Sequence, residues 1–128
     1  MSTDANNVPR ILVVDDNEDA ATSLAILLKD AGYRVETAFN GKAAIAVAEV
    51  FNPDVCILDI NMPGINGYEL ARRLRAMAPE HPPILATMTA NNDGRHLDQA
   101  ADAGFDLHFT KAGDLRDLFE QMADCFNR

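Results

Sequence analysis

Four short stretches carry the residues able to do chemistry. Asp15 and Asp16 close the apolar run Ile11-Leu12-Val13-Val14. Asp59 closes a second run, Val55-Cys56-Ile57-Leu58, and Ile60-Asn61-Met62-Pro63-Gly64 then breaks the chain direction with a Pro-Gly turn. Thr89 follows the apolar Ile84 to Met88, and Lys111 follows Leu107-His108-Phe109. An apolar strand ending in one acid holds that acid at the mouth of a sheet. Three carboxylates brought to about 4 Å repel by on the order of 4 kcal/mol per pair at an effective dielectric near 20, so a proton or a cation must neutralise them. Oxygen-only ligands at a wet loop mouth suit a hard divalent ion, with Mg²⁺ the first choice. Lys111 adds an ammonium and Thr89 a hydroxyl. Together these groups suit a transferring phosphoryl group, whose oxygens the cations neutralise while an aspartate attacks.

Each residue also has a plainer reading. Asp15-Asp16 fits an Asx turn at a helix start, with Asp16 or Asn17 as the cap. Thr89 is a β-favouring strand end, and Thr87 shares its strand parity; Thr89 is preferred because it lies at the end and precedes the small Ala90. Lys111 alone is a solvated loop lysine. Cys56 reads as a small buried hydrophobe, and His81 and His96 as surface residues.

The elements that must position these groups alternate along the chain. Ile11–Val14 is a continuous apolar strand. A helix follows with Ala20, Leu24, Leu27, Leu28 and Ala31 on one face, and Gly32 stops it. Arg34–Ala38 alternates polar and apolar, as an edge strand does. Asn40 caps a second helix with Ala44, Val47, Ala48 and Phe51 inward, broken at Asn52-Pro53. After the Val55–Leu58 strand, Asn66 and Glu69 form a capping-box pattern before a helix facing inward with Leu70, Ala71, Leu74 and Met77. Pro79, Pro82 and Pro83 end that helix, and Ile84–Met88 is a fourth strand. The segment 93–103 is helical in pattern with Leu97 its one large apolar residue, so it is expected to be the least anchored. Leu107–Phe109 is a short fifth strand. Asp114 caps a last helix with Leu115, Leu118, Phe119, Met122 and Phe126 on one face.

Apolar strands alternating with helices imply an α/β domain with a parallel sheet covered on both faces. The doubly wound, flavodoxin-like order 2-1-3-4-5, a (βα)5 topology, puts the half-polar second strand at an edge. In such sheets ligands bind at the carboxyl ends of strands one and three, where the winding reverses; Asp15-Asp16 and Asp59 stand there.

At 128 residues the chain fits one domain, read as 9–128 behind a polar lead-in, 1–8. A formal charge of −9 argues against direct nucleic-acid binding, which needs clustered Lys and Arg. The two cysteines, Cys56 and Cys125, match neither a disulfide framework nor a zinc site, and a reducing compartment is expected. With no apolar leader and no membrane-length apolar run, a cytoplasmic location and no membrane partner are expected.

The chain resembles the receiver domain of two-component response regulators from about Pro9 onward. The matching motifs are Ile11-Leu12-Val13-Val14-Asp15-Asp16, Leu58-Asp59-Ile60-Asn61-Met62-Pro63-Gly64, Thr89-Ala90 and Phe109-Thr110-Lys111. The resemblance implies that Asp59 accepts a phosphoryl group from a histidine kinase or phosphotransfer protein, the domain catalysing its own phosphorylation and dephosphorylation. Asp15, Asp16, Asp59 and the carbonyl of Asn61 then hold Mg²⁺, and Lys111 pairs with the phosphoryl oxygens. Thr89 moves inward on phosphorylation and His108, three residues before the lysine, swings into the vacated space. Asn61 and Asn91 tune the phosphoryl lifetime. Output passes to a protein partner through the face of the fourth helix, fifth strand and fifth helix.

Two positions depart from the family pattern. Ala112 stands where a cis-proline commonly follows the lysine, and a cis bond to a non-proline costs about 2.5–4 kcal/mol. His108 replaces the commoner Tyr or Phe with a smaller residue, of a type that can titrate near neutral pH, so the coupling from phosphorylation to the outer face is expected to be weaker or pH-sensitive. A phosphorylation-independent pseudo-receiver scaffold and a receiver fragment of a hybrid histidine kinase are the alternatives. An aspartyl-phosphate hydrolase lacks support because no Asp-x-Asp stands on one strand. A flavoprotein lacks it because acids occupy the place of a phosphate-binding loop after the first strand.

Overall fold

The computed structural model describes residues 8–59, 67–89, 106–110 and 120. Its elements are β1 (Arg10–Val14), α1 (Glu18–Asp30), β2 (Arg34–Ala38), α2 (Gly41–Phe51), β3 (Val55–Asp59), α3 (Gly67–Met77), β4 (Ile84–Thr89) and β5 (Leu107–Thr110). The strands form one sheet in the order β2-β1-β3-β4-β5, every neighbouring pair parallel. The helices expected over 93–103 and from Asp114 onward, with Leu97, Leu115, Leu118, Phe119, Met122 and Phe126, lie outside the described residues. So do Asn66 and Cys125.

Helix boundaries follow local chemistry. The Asn17 side chain accepts from the N–H of Ala20 at 3.1 Å, and Glu18 and Asp19 then Lys29 match the positive and negative ends of α1. At its end Gly32 takes φ +105°, its N–H donating to the carbonyl of Lys29 (3.0 Å), while Tyr33 N–H donates to that of Leu28 (3.2 Å). This pair of bonds is a Schellman motif, which satisfies carbonyls the helix leaves unpaired. In α2, Asn40 caps through Ala43 N–H at 2.7 Å. Asn52 closes that helix with φ 52°, a left-handed conformation that Asn tolerates better than most residues.

Side-chain alternation divides the core in two. Ile11, Val13, Val55, Ile57, Ala86 and Met88 pack under α1 on one face. Leu12, Val14, Cys56, Leu58 and Leu85 face α2 and α3 on the other. Coverage on both sides explains why β1 and β3 are apolar at nearly every position, whereas β2, at the edge, buries Val35 and Ala38 but exposes Arg34 and Glu36.

The inward face of α1 differs from the expected one. Ala21, Leu24, Ala25 and Leu28 are buried, while Leu27 is 40% exposed and Ala31 is exposed. At about 100° per residue, two stripes share Leu24 and Leu28, one through Ala20, Leu27 and Ala31, the other through Ala21 and Ala25. Close approach of the helix to the sheet favours the second, whose alanines present little bulk. In α3, Leu70, Ala71 and Leu74 are buried, but Met77, the last residue of the helix, is 39% exposed. Val47 and Phe51 of α2 are half-buried rather than fully inward.

At the amino ends of the strands two aspartates extend the sheet ladder. Asp54 accepts the Arg10 N–H on its carboxylate (2.8 Å), donates its own N–H to the Arg10 carbonyl (2.7 Å), and accepts the Ile84 N–H on its carbonyl (2.9 Å). Asp106 does the same for β4, bracketing Leu85 with its N–H (2.7 Å) and its carboxylate (3.0 Å), with Arg75 Nη1 3.6 Å from that carboxylate. Neither acid stands out in the sequence, because no apolar run precedes it.

Candidate functional site

The carboxyl ends of β1 and β3 hold a different set of acids. Val14 pairs with Leu58 in the register, so the next residues out, Asp15 and Asp59, stand side by side on adjacent strands. Strand parity puts both on the α1 side with Val13 and Ile57. Each is only 6% exposed, whereas Asp16 is exposed. One carboxylate oxygen from each of Asp15, Asp16 and Asp59 lies within 4.8 Å of the others. The winding reversal between β1 and β3 leaves this edge open to ligands.

Asp15 also takes part in the turn. Its Oδ1 accepts the Asn17 N–H at 3.0 Å, and its own N–H donates to the Ala38 carbonyl at 3.1 Å. The Asx turn and the cluster are therefore compatible, and Asn17, not Asp16, caps α1. Asp15 and Asp59 line an open pocket of about 180 Å³ whose remaining walls include the apolar Val13, Leu24, Leu27, Ile57 and Met88. Apolar walls reduce screening, so Asp15 and Asp59 repel each other more than surface acids would.

The donor set is all oxygen. Cys56 is close in sequence but lies on the opposite sheet face, fully buried, its thiol pushed up to about 12 by burial. It is no ligand candidate, so the site suits a hard cation over a soft one. Thr89 ends β4, one residue past Met88, which pairs with Asp59. His108 belongs to β5 and pairs with Thr87. Lys111, Asn61, Asn91 and the Lys111-Ala112 bond lie outside the described residues. Thr87 emerges as a residue of interest that the sequence presented only as a rival to Thr89: it is wholly buried, and its Oγ1 has no hydrogen-bond partner among the described residues.

A family model described as the response regulator receiver domain matches residues 11–123. The transcriptional regulatory protein PrrA of Mycobacterium leprae is 34% identical over 120 residues, covering 94% of this chain and 51% of PrrA. The chain thus spans about half the length of such curated relatives. Among solved structures, the chemotaxis protein CheY4 of Vibrio cholerae superposes with a TM-score of 0.85 at 26% identity, covering 91% of this chain and 98% of that one. The receiver domain of the Saccharomyces cerevisiae response regulator Ssk1, crystallised with the histidine phosphotransfer protein Ypd1, superposes with a TM-score of 0.83. It is 21% identical over 91% of this chain and 88% of that one, a likeness of fold alone.

Proposed function

We propose, from the premise that this chain belongs to the response regulator receiver domain family, that Asp59 is its phosphoacceptor. The observation that carries this reading is the gathering of Asp15, Asp16 and Asp59 within 4.8 Å at the open end of the sheet. Asp59, presented by the buried strand β3, is held in place for attack. One of its carboxylate oxygens forms the O–P bond as the P–N bond of a phosphohistidine breaks, and the departing imidazole nitrogen keeps the electron pair.

Asp15, Asp16 and Asp59, with the carbonyl of Asn61, are the residues that would hold Mg²⁺. The ion, when bound, neutralises the carboxylates and the phosphoryl oxygens that approach them. Lys111 supplies the second positive charge, and Thr89 a hydroxyl that follows the phosphoryl group inward. His108 then repositions on the face formed with the fourth and fifth helices, changing the affinity for a protein partner. The phosphodonor is a histidine kinase or phosphotransfer protein, a role the Ssk1–Ypd1 pairing supports by analogy of fold. The −9 charge favours protein partners over nucleic acid for this domain. No helix among the described residues is long and apolar enough to cross a membrane.

Incubation with phosphoramidate and Mg²⁺ tests the reading. Intact mass is expected to rise by one phosphoryl group in the parent protein, with no modification when Mg²⁺ is chelated and none in Asp59→Asn. Equal modification of parent and Asp59→Asn refutes the assignment.

A further inference from the structure

At the amino ends of the strands, opposite the acidic cluster, a groove of about 840 Å³ lies between the ends of α2 and α3. The buried Ala48 and Leu74 and the exposed Met77 give it apolar walls. Glu49, Asp54 and Glu80, all exposed, line it as well, against Arg10 and His81. Arg10 is already engaged, its Nε donating to the Asn52 carbonyl at 3.2 Å. Two of these acids stand where helix electrostatics disfavour them. A helix C-terminus carries partial negative charge, which cations stabilise and anions oppose. α1 has Lys29 in its last turn and α3 has Arg75, but α2 has no basic residue there and carries Glu49 instead. Glu80 follows the end of α3, in a turn where the His81 N–H donates to the Ala78 carbonyl at 3.2 Å. Arg75, the cation of that end, is drawn to the Asp106 carboxylate, 3.6 Å away. Among the described residues neither Glu49 nor Glu80 has a salt-bridge partner. Acids placed against a local rule with no structural gain point to a functional surface.

We propose that this groove docks a basic, partly apolar segment of a partner protein, its Lys or Arg heads meeting Glu49 and Glu80 and its aliphatic carbons lying along Ala48, Leu74 and Met77. Such side chains suit the groove because they bury their methylene stems on apolar surface while the charged head stays in water. Arg10 already shows the pattern in miniature, its guanidinium answering a carbonyl just past the end of α2. Pro53, Pro79 and Pro83 restrict the backbone around the groove, so little ordering is needed on binding. A protein segment is favoured over a free polyamine because the volume takes several side chains and the apolar walls reward them. No residue of the groove belongs to the acidic cluster, so the docking does not rest on phosphorylation of Asp59.

Titration of the nitrogen-15-labelled full chain, in Mg²⁺, with an acetylated and amidated hexapeptide of alternating leucine and arginine tests the docking. Amide shifts are expected at Ala48, Glu49, Asn52, Ala78 and Glu80, and none when glutamate replaces arginine in the peptide. The double variant Glu49→Gln, Glu80→Gln is expected to bind about fivefold more weakly, having lost two exposed ion pairs. The same variant is expected to unfold at a higher midpoint than the parent, because the two helix ends are relieved; acids with a purely structural role would give a lower one. Met77→Ala is expected to weaken the peptide as well. No binding at millimolar peptide, equal affinity in the double variant or in Met77→Ala, or equal binding of the glutamate peptide overturns the proposal. So does a lower midpoint in the double variant, a set of shifts centred on Asp15 and Asp16, or spermidine binding as tightly as the peptide.

Discussion

Asp15→Asn isolates the electrostatic strain of the acidic cluster from its geometry. The substitution keeps an Oδ1 able to accept the Asn17 N–H, now at 3.0 Å, so the turn into α1 survives. It removes one of two buried charges whose oxygens lie within 4.8 Å. At that separation and an effective dielectric near 20, the Asp15–Asp59 repulsion is about 3.5 kcal/mol. Asp16 is exposed and adds less, because water screens it. Solvent at the open mouth relieves part of the buried repulsion as well, so the expected gain in stability is about 1–3 kcal/mol in chelator. With urea m-values of about 1–3 kcal/mol per molar for a domain this size, the midpoint should rise by roughly 1 M. Millimolar Mg²⁺ should stabilise the parent by mass action and the variant far less, narrowing or reversing the gap. Equilibrium urea unfolding, with chelator and with Mg²⁺, measures all four values. An Asp15→Asn protein less stable than its parent in chelator refutes the claim that this cluster is held together against repulsion.

Gly32→Ala should cost about 1–2 kcal/mol from backbone strain alone, since φ is +105° and no atom lies within 4 Å of the added Cβ; thermal unfolding measures it, and a neutral result would show the Schellman end relaxes freely. Asn40→Ala removes the 2.7 Å cap of α2 and should cost about 1 kcal/mol, whereas Asn40→Asp should restore most of it in urea titrations. Burial raises the Cys56 thiol from its ordinary 9.0 to about 12, so the neutral form is the one the fold accepts. Stability is therefore unaffected by this group below pH 9 and falls as pH climbs from about 9 toward 12. In the same way Cys56 should resist iodoacetamide at pH 8 in the native state and react on unfolding, which peptide mapping resolves.

Much of this protein is written locally. The strand runs at 11–14 and 55–58, the caps at Asn17 and Asn40, the stop at Gly32 and the break at Asn52-Pro53 each depend on a few adjacent residues, so inspection of the sequence finds them. Periodicity alone leaves α1 undecided between two stripes that share Leu24 and Leu28; the sheet beneath selects the one with Ala21 and Ala25, because only small residues let the backbones approach. Met77 fits its helical stripe and is still 39% exposed at the helix end.

Chain order could suggest which acids belong together but not bring them there. Asp15 and Asp59 are 44 positions apart and meet because β1 and β3 pair directly, with Val14 beside Leu58. Asp54 and Asp106 are acids of the same kind, yet they close backbone ladders at the opposite ends of the strands, a use no local pattern announces. The register of β4 against β5 likewise sets Thr87 and His108 in one row of the sheet, though they are far apart in the chain. Residue type and neighbouring residues determine what each segment can become. Which face turns inward, and which distant groups share a few ångströms, is decided only when separate strands pair and pack, because those contacts are nonlocal.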